Sequence, residues 1–170
     1  VMVGEFGEVL VMDWGLARSE SDNEDLLGSG AGGSGGGEVE APGLTQVGDV
    51  MGTPGYMPPE QADGDTVDAR ADVFALGAIL VEILTQRPPI TGKTATNKIM
   101  ATINGKIALP RDRRRDVAAE LNSIAGKALA FEPRDRYPKA DPLVADLKAY
   151  LVGGDVLAHD YTLGERVKNV

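Results

Sequence analysis

The chain contains no cysteine among its 170 residues. This absence excludes disulfide bonds, thiolate metal sites and a cysteine nucleophile, and it is compatible with a reducing compartment. Aromatic residues make up only 5% of the sequence, so we expect a core built from aliphatic side chains. The net charge of −9 argues against nucleic acid or an anionic membrane as the main partner. With 42% hydrophobic residues, the composition is that of an ordinary globular domain.

The sequence also has little that would direct it to a membrane. It opens on a strand-like Val1-Met2-Val3, without the basic start and apolar run of a signal peptide. Its most apolar stretch, residues 72–84, is shorter than the about 20 residues that a bilayer requires. We therefore expect a cytoplasmic location and no membrane contact from this segment. Because the first residue is a valine in the middle of an apparent strand, we also expect a fragment of a longer protein.

Lysine and arginine are absent from residues 19–41, which carry six acidic residues. These are Glu20, Asp22, Glu24, Asp25, Glu38 and Glu40. The same region contains the low-complexity stretch "GSGAGGSGGGE". Such a composition cannot bury enough apolar surface to offset its ordering entropy. Residues 19–43 are therefore predicted to form a disordered, acidic, glycine-rich insert.

Hydrophobic patterning predicts one hairpin followed by helices, a mostly helical α+β fold. A glycine-bounded turn separates residues 1–3 from the apolar Val9–Met12, which we expect to be a buried strand. The stretch "DVFALGAILVEIL", residues 72–84, is apolar nearly all round and is predicted to be a buried central helix. Residues 52–62 are predicted to form an ordered loop running into a short helix. Further helices are predicted over 94–104, over 117–130 and around 143–151, before a tail at 152–170.

A carboxylate, Asp13, follows the predicted strand as Asp13-Trp14-Gly15. Turn chemistry alone could explain this tripeptide, and so could a metal ligand. Downstream come "GTPGY" at 52–56, Pro58-Pro59-Glu60, Asp72 at the start of the apolar helix, and Arg136 in "EPRDRYP". In this order and spacing, the motifs closely resemble the C-terminal lobe of a serine/threonine protein kinase, particularly the bacterial kinases. The resemblance covers the chain from residue 1 to about residue 151.

The resemblance implies a protein-kinase-like C-lobe with a short β-hairpin, a long activation loop and a buried central helix. Residues 1–151 would be a partial kinase domain, with the activation segment at 13–60 and the tail at 152–170. The implied function is transfer of the ATP γ-phosphoryl group to Ser/Thr hydroxyls of protein substrates. The implied cofactors are ATP and Mg²⁺.

Roles for individual residues follow from the matched motifs. Asp13 matches the aspartate that ligates Mg²⁺ beside the ATP phosphates, and Gly15 lets the backbone turn away from the metal. Trp14 stands where the family usually has phenylalanine, and a bulkier ring could shift the balance of active and inactive states. Thr45 lies where such kinases often autophosphorylate, although an unmodified loop threonine is an equal alternative.

Other matched residues support the site without taking part in chemistry. Thr53 matches the threonine that contacts the catalytic aspartate and helps to form the floor of the peptide-docking pocket. Glu60 matches the glutamate that pairs with an arginine, here Arg136, in a structural ion pair. Asp72 matches the aspartate that caps the central helix and holds the catalytic loop from below.

Three parts of the kinase machinery have no counterpart in this sequence. It has no glycine-rich loop over the phosphates, no strand bearing the phosphate-binding lysine and no His-Arg-Asp motif with the catalytic base. We therefore expect the parent protein to be a kinase and this chain alone to be inactive. The alternatives are a pseudokinase-like remnant acting as a binding scaffold, and an unrelated helical interaction domain.

Two further features attract attention but predict no site. The run "RDRRRD" at 111–116 is interleaved with aspartates and is typical of a solvated surface loop. His159 is the only histidine, and no serine or aspartate stands near it at a spacing typical of catalysis. Neither nucleic-acid binding nor a histidine-based reaction is expected.

Overall fold

A computed structural model describes residues 1–11 and 53–162, and the chain divides into two units, Val1–Pro42 and Gly43–Val170. Several residues of the predicted site therefore lie outside the described residues. These are Asp13, Trp14, Gly15 and Thr45, with most of the predicted activation segment and all of the insert 19–43.

The first unit begins with the predicted β-hairpin. Strand β1 (Met2–Val3) pairs antiparallel with strand β2 (Val9–Leu10), so that Met2 faces Leu10. The turn closes through the Gly4 amide, which donates to the Glu8 carbonyl at 2.8 Å. The prediction of a buried strand is wrong for the described part of it, because Val9 is 63% exposed. Within residues 1–11 the hairpin forms a single layer, and none of these residues packs over its apolar side chains.

The second unit contains six α-helices among its described residues. They are α1 (Pro59–Asp63), α2 (Arg70–Thr85), α3 (Ala95–Ile103), α4 (Pro110–Arg113), α5 (Ala119–Ala128) and α6 (Ala140–Leu151). A short 3₁₀ helix covers Pro133–Asp135. Each helix predicted from the sequence is present, with ends that differ by a few residues, while α4 was not predicted. No described helix is long and apolar enough to cross a membrane.

Helix α2 forms the core together with α5 and α6. One cluster of buried side chains joins Val73 of α2 to Ile124 of α5 and Leu143 of α6. A second cluster joins Phe74 and its neighbours on α2 to Ala125 of α5 and to Leu129, which directly follows α5. The two helices approach closely at Gly77, where a Cβ atom would lie 2.7 Å from that of Ala128. Aliphatic packing therefore supplies most of this core, as the low aromatic content predicts.

The burial of α2 is one-sided. Val73, Phe74 and Val81 are buried completely, whereas Leu76 is 39% exposed and Ile83 is 64% exposed. The helix predicted from its apolar composition is present, but the described residues do not enclose it on all sides. It also begins at Arg70, two residues earlier than the apolar run suggests.

The residues after α6 correct the prediction of a tail. Val156 is 1% exposed and belongs to the same core cluster as Val73 and Ile124. The carboxylate of Asp146 accepts hydrogen bonds from the backbone amides of Leu157 at 2.9 Å and Ala158 at 3.0 Å. Chain through residue 162 is therefore packed onto the helical body, because one buried valine and one buried carboxylate hold it there.

Candidate functional site

The loop at residues 53–58 is exposed at its first residue and mostly buried after it. Gly55, Met57 and Pro58 are buried, whereas Thr53 is exposed. A turn closes where the Tyr56 amide donates to the Thr53 carbonyl at 3.0 Å. The structure thus presents Thr53 at the edge of an otherwise packed loop.

Tyr56 joins this loop to helix α2, a link that the sequence analysis did not anticipate. Its hydroxyl donates a short hydrogen bond to Oε2 of Glu82. This bond to a carboxylate, with partial burial and the negative charge of Glu82, raises the pKa of Tyr56 to about 12. The signal in the sequence was Glu82 itself, a single carboxylate inside an apolar helical run.

The predicted ion pair of Glu60 and Arg136 is present and is almost completely buried from solvent. Arg136 Nη1 donates to Glu60 Oε1 at 2.7 Å, and Nη2 donates to Oε2 at 2.7 Å. The arginine side chain is 0% exposed and the glutamate side chain 9% exposed. Two parallel bonds between a guanidinium and a carboxylate are among the strongest polar contacts in proteins. The pair joins the first turn of α1 to the segment before α6.

Besides Glu60, Arg136 also bonds three backbone carbonyls. Its Nε donates to the Ala130 carbonyl at 2.8 Å, Nη2 to that of Phe131 at 3.0 Å and Nη1 to that of Arg70 at 3.2 Å. All five N–H groups of the guanidinium therefore have acceptors. The guanidinium also lies 4.9 Å from the centre of the Phe74 ring. One side chain thereby ties α1, the start of α2 and the loop after α5 together.

Asp72 does not cap helix α2, contrary to the role implied by the resemblance. The N-cap position is Ala69, and no side chain caps the backbone there. Asp72 lies in the first helical turn and is exposed. A carboxylate in this turn still interacts favourably with the positive end of the helix dipole. The aspartate that bonds the backbone is Asp68, whose Oδ1 accepts from the Arg70 amide at 2.8 Å.

The RDRRRD run is more than a solvated loop. Arg113 Nη1 donates to the carbonyls of Arg87 at 2.9 Å and Pro88 at 2.8 Å. Arg114 Nη1 donates to the carbonyl of Leu84 at 3.1 Å, and its Nη2 pairs with Asp116 at 2.5 Å. These arginines satisfy backbone carbonyls at and after the end of α2, which is a structural role.

His159 has a serine partner that the sequence spacing did not reveal. Ser123 Oγ and His159 Nδ1 lie 2.9 Å apart, although the residues are 36 positions apart in the chain. The ring of Tyr161 meets the imidazole edge to face, with the centroids 4.7 Å apart. These contacts dock the segment after α6 onto α5.

The residues matched to the metal site are not among those described. Residues 1–11 and 53–162 contain no group of three or more histidine, cysteine, aspartate or glutamate side chains that could hold a metal ion. The structure therefore brings together Glu60 and Arg136, places Thr53 nearby in sequence on the packed loop, and leaves the position of Asp13 undescribed.

Comparison with known proteins identifies the family of this chain. The model of the protein kinase domain matches residues 1–146. Serine/threonine-protein kinase PknB of Mycobacterium tuberculosis is 37% identical over 147 residues, which cover 86% of this chain and 21% of that protein. Tyrosine-protein kinase MasK of Myxococcus xanthus is 37% identical over 145 residues, covering 85% of this chain and 20% of that protein.

A third relative extends the match slightly further along the chain. The probable serine/threonine-protein kinase SCO3848 of Streptomyces coelicolor is 33% identical over 156 residues, or 92% of this chain and 21% of that protein. The chain thus spans about a fifth of the length of these curated relatives. With a family match across most of its length and the Glu60–Arg136 pair in place, the chain belongs to the protein kinase family, among the bacterial serine/threonine kinases.

Proposed function

We propose that this chain forms the substrate-side part of a kinase that transfers the ATP γ-phosphoryl group to Ser/Thr hydroxyls of proteins. The observation that carries the proposal is the dry, bidentate pair between Glu60 and Arg136. Phosphoryl transfer depends mainly on the positioning of its reactants. A buried pair at the end of the activation segment holds the loop that would receive the substrate. We assign the activity to the cytoplasm, where ATP is available.

The loop at 53–58 would act as the platform for the substrate peptide. Its base is held from two sides, by the bond from Tyr56 to Glu82 and by the pair at Glu60. Thr53 is exposed at the start of this loop, a position suited to contact with a peptide and with a catalytic aspartate on another part of the protein. Because the loop is held before substrate binds, less ordering entropy opposes binding.

Asp13 and Gly15 would supply the contribution to nucleotide binding from this chain. Bound Mg²⁺ would supply stabilisation of the negative charge that develops during transfer. Asp13 would be its carboxylate ligand, the type of ligand that this hard cation prefers. Thr45 would be the phosphorylation site in the same segment, since added phosphate there can be paired by arginine.

The chain by itself would not turn over, because it lacks the phosphate-binding lysine and the catalytic base. The test is a kinase assay of purified residues 1–170 with Mg²⁺, radiolabelled ATP and a basic protein substrate. No incorporation above a no-enzyme control is expected. Autophosphorylation of the purified chain would overturn this part of the proposal. If the complete gene product also failed to bind nucleotide in the presence of Mg²⁺, a binding scaffold would be the better account.

A further inference from the structure

The loop that follows α2 has few backbone donors of its own. Residues 86–92, which we call the proline loop, contain Pro88 and Pro89 in succession, and proline has no backbone N–H to donate. The chain enters this loop through Gln86, whose φ of 59° lies in the left-handed region that is costly for a residue with a Cβ atom. Donors from other parts of the chain are therefore needed to fix the loop.

Arg113 supplies such donors to three successive carbonyls from a single side chain. Its Nη1 donates to the carbonyls of Arg87 at 2.9 Å and Pro88 at 2.8 Å. Its Nη2 donates to the carbonyl of Pro89 at 3.4 Å. Because a guanidinium carries its N–H groups in one rigid plane, these carbonyls are held in a fixed arrangement relative to one another.

The short helix that carries Arg113 is itself anchored to the core. Helix α4 begins at Pro110, which is fully buried. The Arg111 amide donates to Oδ1 of Asn122 at 2.9 Å, which ties α4 to α5. Arg113 is partly buried, so water competes less for its donors than at a fully exposed arginine. The guanidinium therefore holds the proline loop from a fixed base.

The proline loop also lies against the platform loop, residues 53–58. A Cβ atom added to Gly55 would lie 3.8 Å from the Ile90 carbonyl oxygen and 3.8 Å from Pro88 Cβ, the distance of ordinary van der Waals contact. Tyr56 packs against the cluster of buried side chains that includes Ile90. Closely packed groups transmit displacement, so a shift of the proline loop would move the surface on which the platform loop rests.

We propose that Arg113 is a positioning residue for the protein substrate, because it holds the proline loop against which the platform loop packs. This inference rests on the function proposed above, in which residues 53–58 receive the substrate peptide. Arg113 acts through Pro88 and Gly55 and touches neither substrate nor nucleotide. Its loss should therefore weaken binding of the protein substrate and leave ATP binding and the transfer step unchanged.

Steady-state kinetics of the complete gene product test this role in Arg113→Met, with histone as the basic protein substrate. Methionine retains an unbranched stem and removes every donor to the proline loop. We expect the KM for histone to rise about tenfold, with kcat and the KM for ATP within about twofold of the parent values. Arg115→Met, at an exposed position of the same run, is the matched control and should leave all three constants unchanged.

Arg113→Lys separates positioning from overall stability. An ammonium group supplies donors without the planar fork, so it can bond fewer of the three carbonyls. The KM of Arg113→Lys for histone should lie between those of the parent and Arg113→Met. A general loss of folded protein would instead lower kcat and leave both KM values unchanged, and that pattern would overturn the proposal. If Arg113→Met does not fold, the KM of Arg113→Lys decides, and a parent-like value refutes the role.

Hydrogen exchange distinguishes failure of this inference from failure of the proposed function. The Tyr56 amide donates to the Thr53 carbonyl within the platform loop, and the Ala108 amide donates to the Pro89 carbonyl. In the same proteins, Arg113→Met should speed exchange of both amides by about fivefold or more, whereas Arg115→Met should not. Unchanged exchange at Tyr56 would refute the positioning role even in an active kinase. Faster exchange in a gene product without phosphoryl transfer would support the hold on the loop and refute the proposed function.

Discussion

At the scale of single residues, Arg136 contributes most to holding the neighbouring segments together. Its guanidinium is 0% exposed, and its N–H groups reach the Glu60 carboxylate and three backbone carbonyls. Taking an ion pair out of water is costly, so such a pair contributes modestly when intact. Losing one partner is far more costly, because the remaining charge and carbonyls stay buried without compensation.

Arg136→Met should therefore destabilise the chain by about 3–5 kcal/mol. The methionine retains much of the side-chain volume but supplies no donor to Glu60. Urea unfolding followed by circular dichroism measures the difference. Arg134→Met, at an exposed neighbouring position, is the matched control and should change stability by less than about 0.5 kcal/mol. A loss below 1 kcal/mol for Arg136→Met would mean that the pair does not hold the loop.

Tyr56→Phe should weaken the link between the platform loop and α2 by removing one hydrogen bond to a carboxylate. The expected loss is about 1–2 kcal/mol near neutral pH, since Glu82 keeps partial access to water. The measurement is the difference in unfolding free energy between the parent chain and the variant.

The same difference should depend on pH in a defined direction. Folding raises the pKa of Tyr56 to about 12, above the usual tyrosine value of about 10. A raised pKa means that folding favours the protonated hydroxyl, the form that donates to Glu82. The contribution is complete below pH 10 and is lost as the pH rises towards 12. A parent-minus-variant difference that stays constant from pH 9 to 11.5 would contradict this assignment.

At the scale of elements, the buried carboxylate of Asp146 joins α6 to the chain that follows it. Besides the two backbone amides, it accepts a hydrogen bond from the Tyr137 hydroxyl at 2.7 Å. Burial, and then this bond to a carboxylate, raises the pKa of Tyr137. Three donors converging on one carboxylate hold the segment after α6 in place, together with Val156.

Asp146→Asn should release this segment while α6 stays folded. The two backbone amides bond to different oxygens of the carboxylate, and asparagine replaces one of these oxygens with an NH₂ donor. At least one of the two amides therefore loses its acceptor, which weakens the attachment of the segment. Hydrogen exchange of the Leu157 and Ala158 amides should then be faster by at least about tenfold. Asp155→Asn, at an exposed position directly after Gly153 and Gly154, should leave their exchange unchanged. Unaltered exchange in Asp146→Asn would show that Val156 and the contacts of His159 hold the segment without this carboxylate.

The helices were predictable and several of their contacts were not. Apolar spacing at Leu121, Ile124 and Ala128 indicates a helix because neighbouring turns share a face, and α5 is there. Burial depends instead on what packs against an element, which explains why the strand around Val9 is exposed. The pairing of Ser123 with His159 spans 36 positions and left no local trace in the sequence.

Part of the site was predictable for a different reason. Glu60 and Arg136 lie 76 positions apart, and no periodicity connects them. They were found because the order of motifs resembles a known family. The link from Tyr56 to Glu82 and the bond from Asp68 to the start of α2 were missed, since neither the spacing of the residues nor the resemblance indicates a tertiary or capping contact of this kind.

At the scale of the whole molecule, each of the two units leaves apolar side chains exposed among its described residues. Leu76 and Ile83 of α2 are exposed, and the hairpin shows Val9 and Leu10 to solvent. The relatives are about five times longer than this chain, which covers 21% of PknB. We propose that this chain is part of a kinase in which Asp13 would hold the Mg²⁺ of ATP.

The most direct test compares phosphoryl transfer by the complete gene product with that of its Asp13→Asn variant, using radiolabelled ATP, Mg²⁺ and a basic protein substrate. Asparagine retains the size of the side chain and removes the charge that a hard cation needs. We expect Asp13→Asn to lose activity on the order of 100-fold, with an unchanged melting temperature. Full activity in Asp13→Asn, or none in the parent protein under the same conditions, would contradict it.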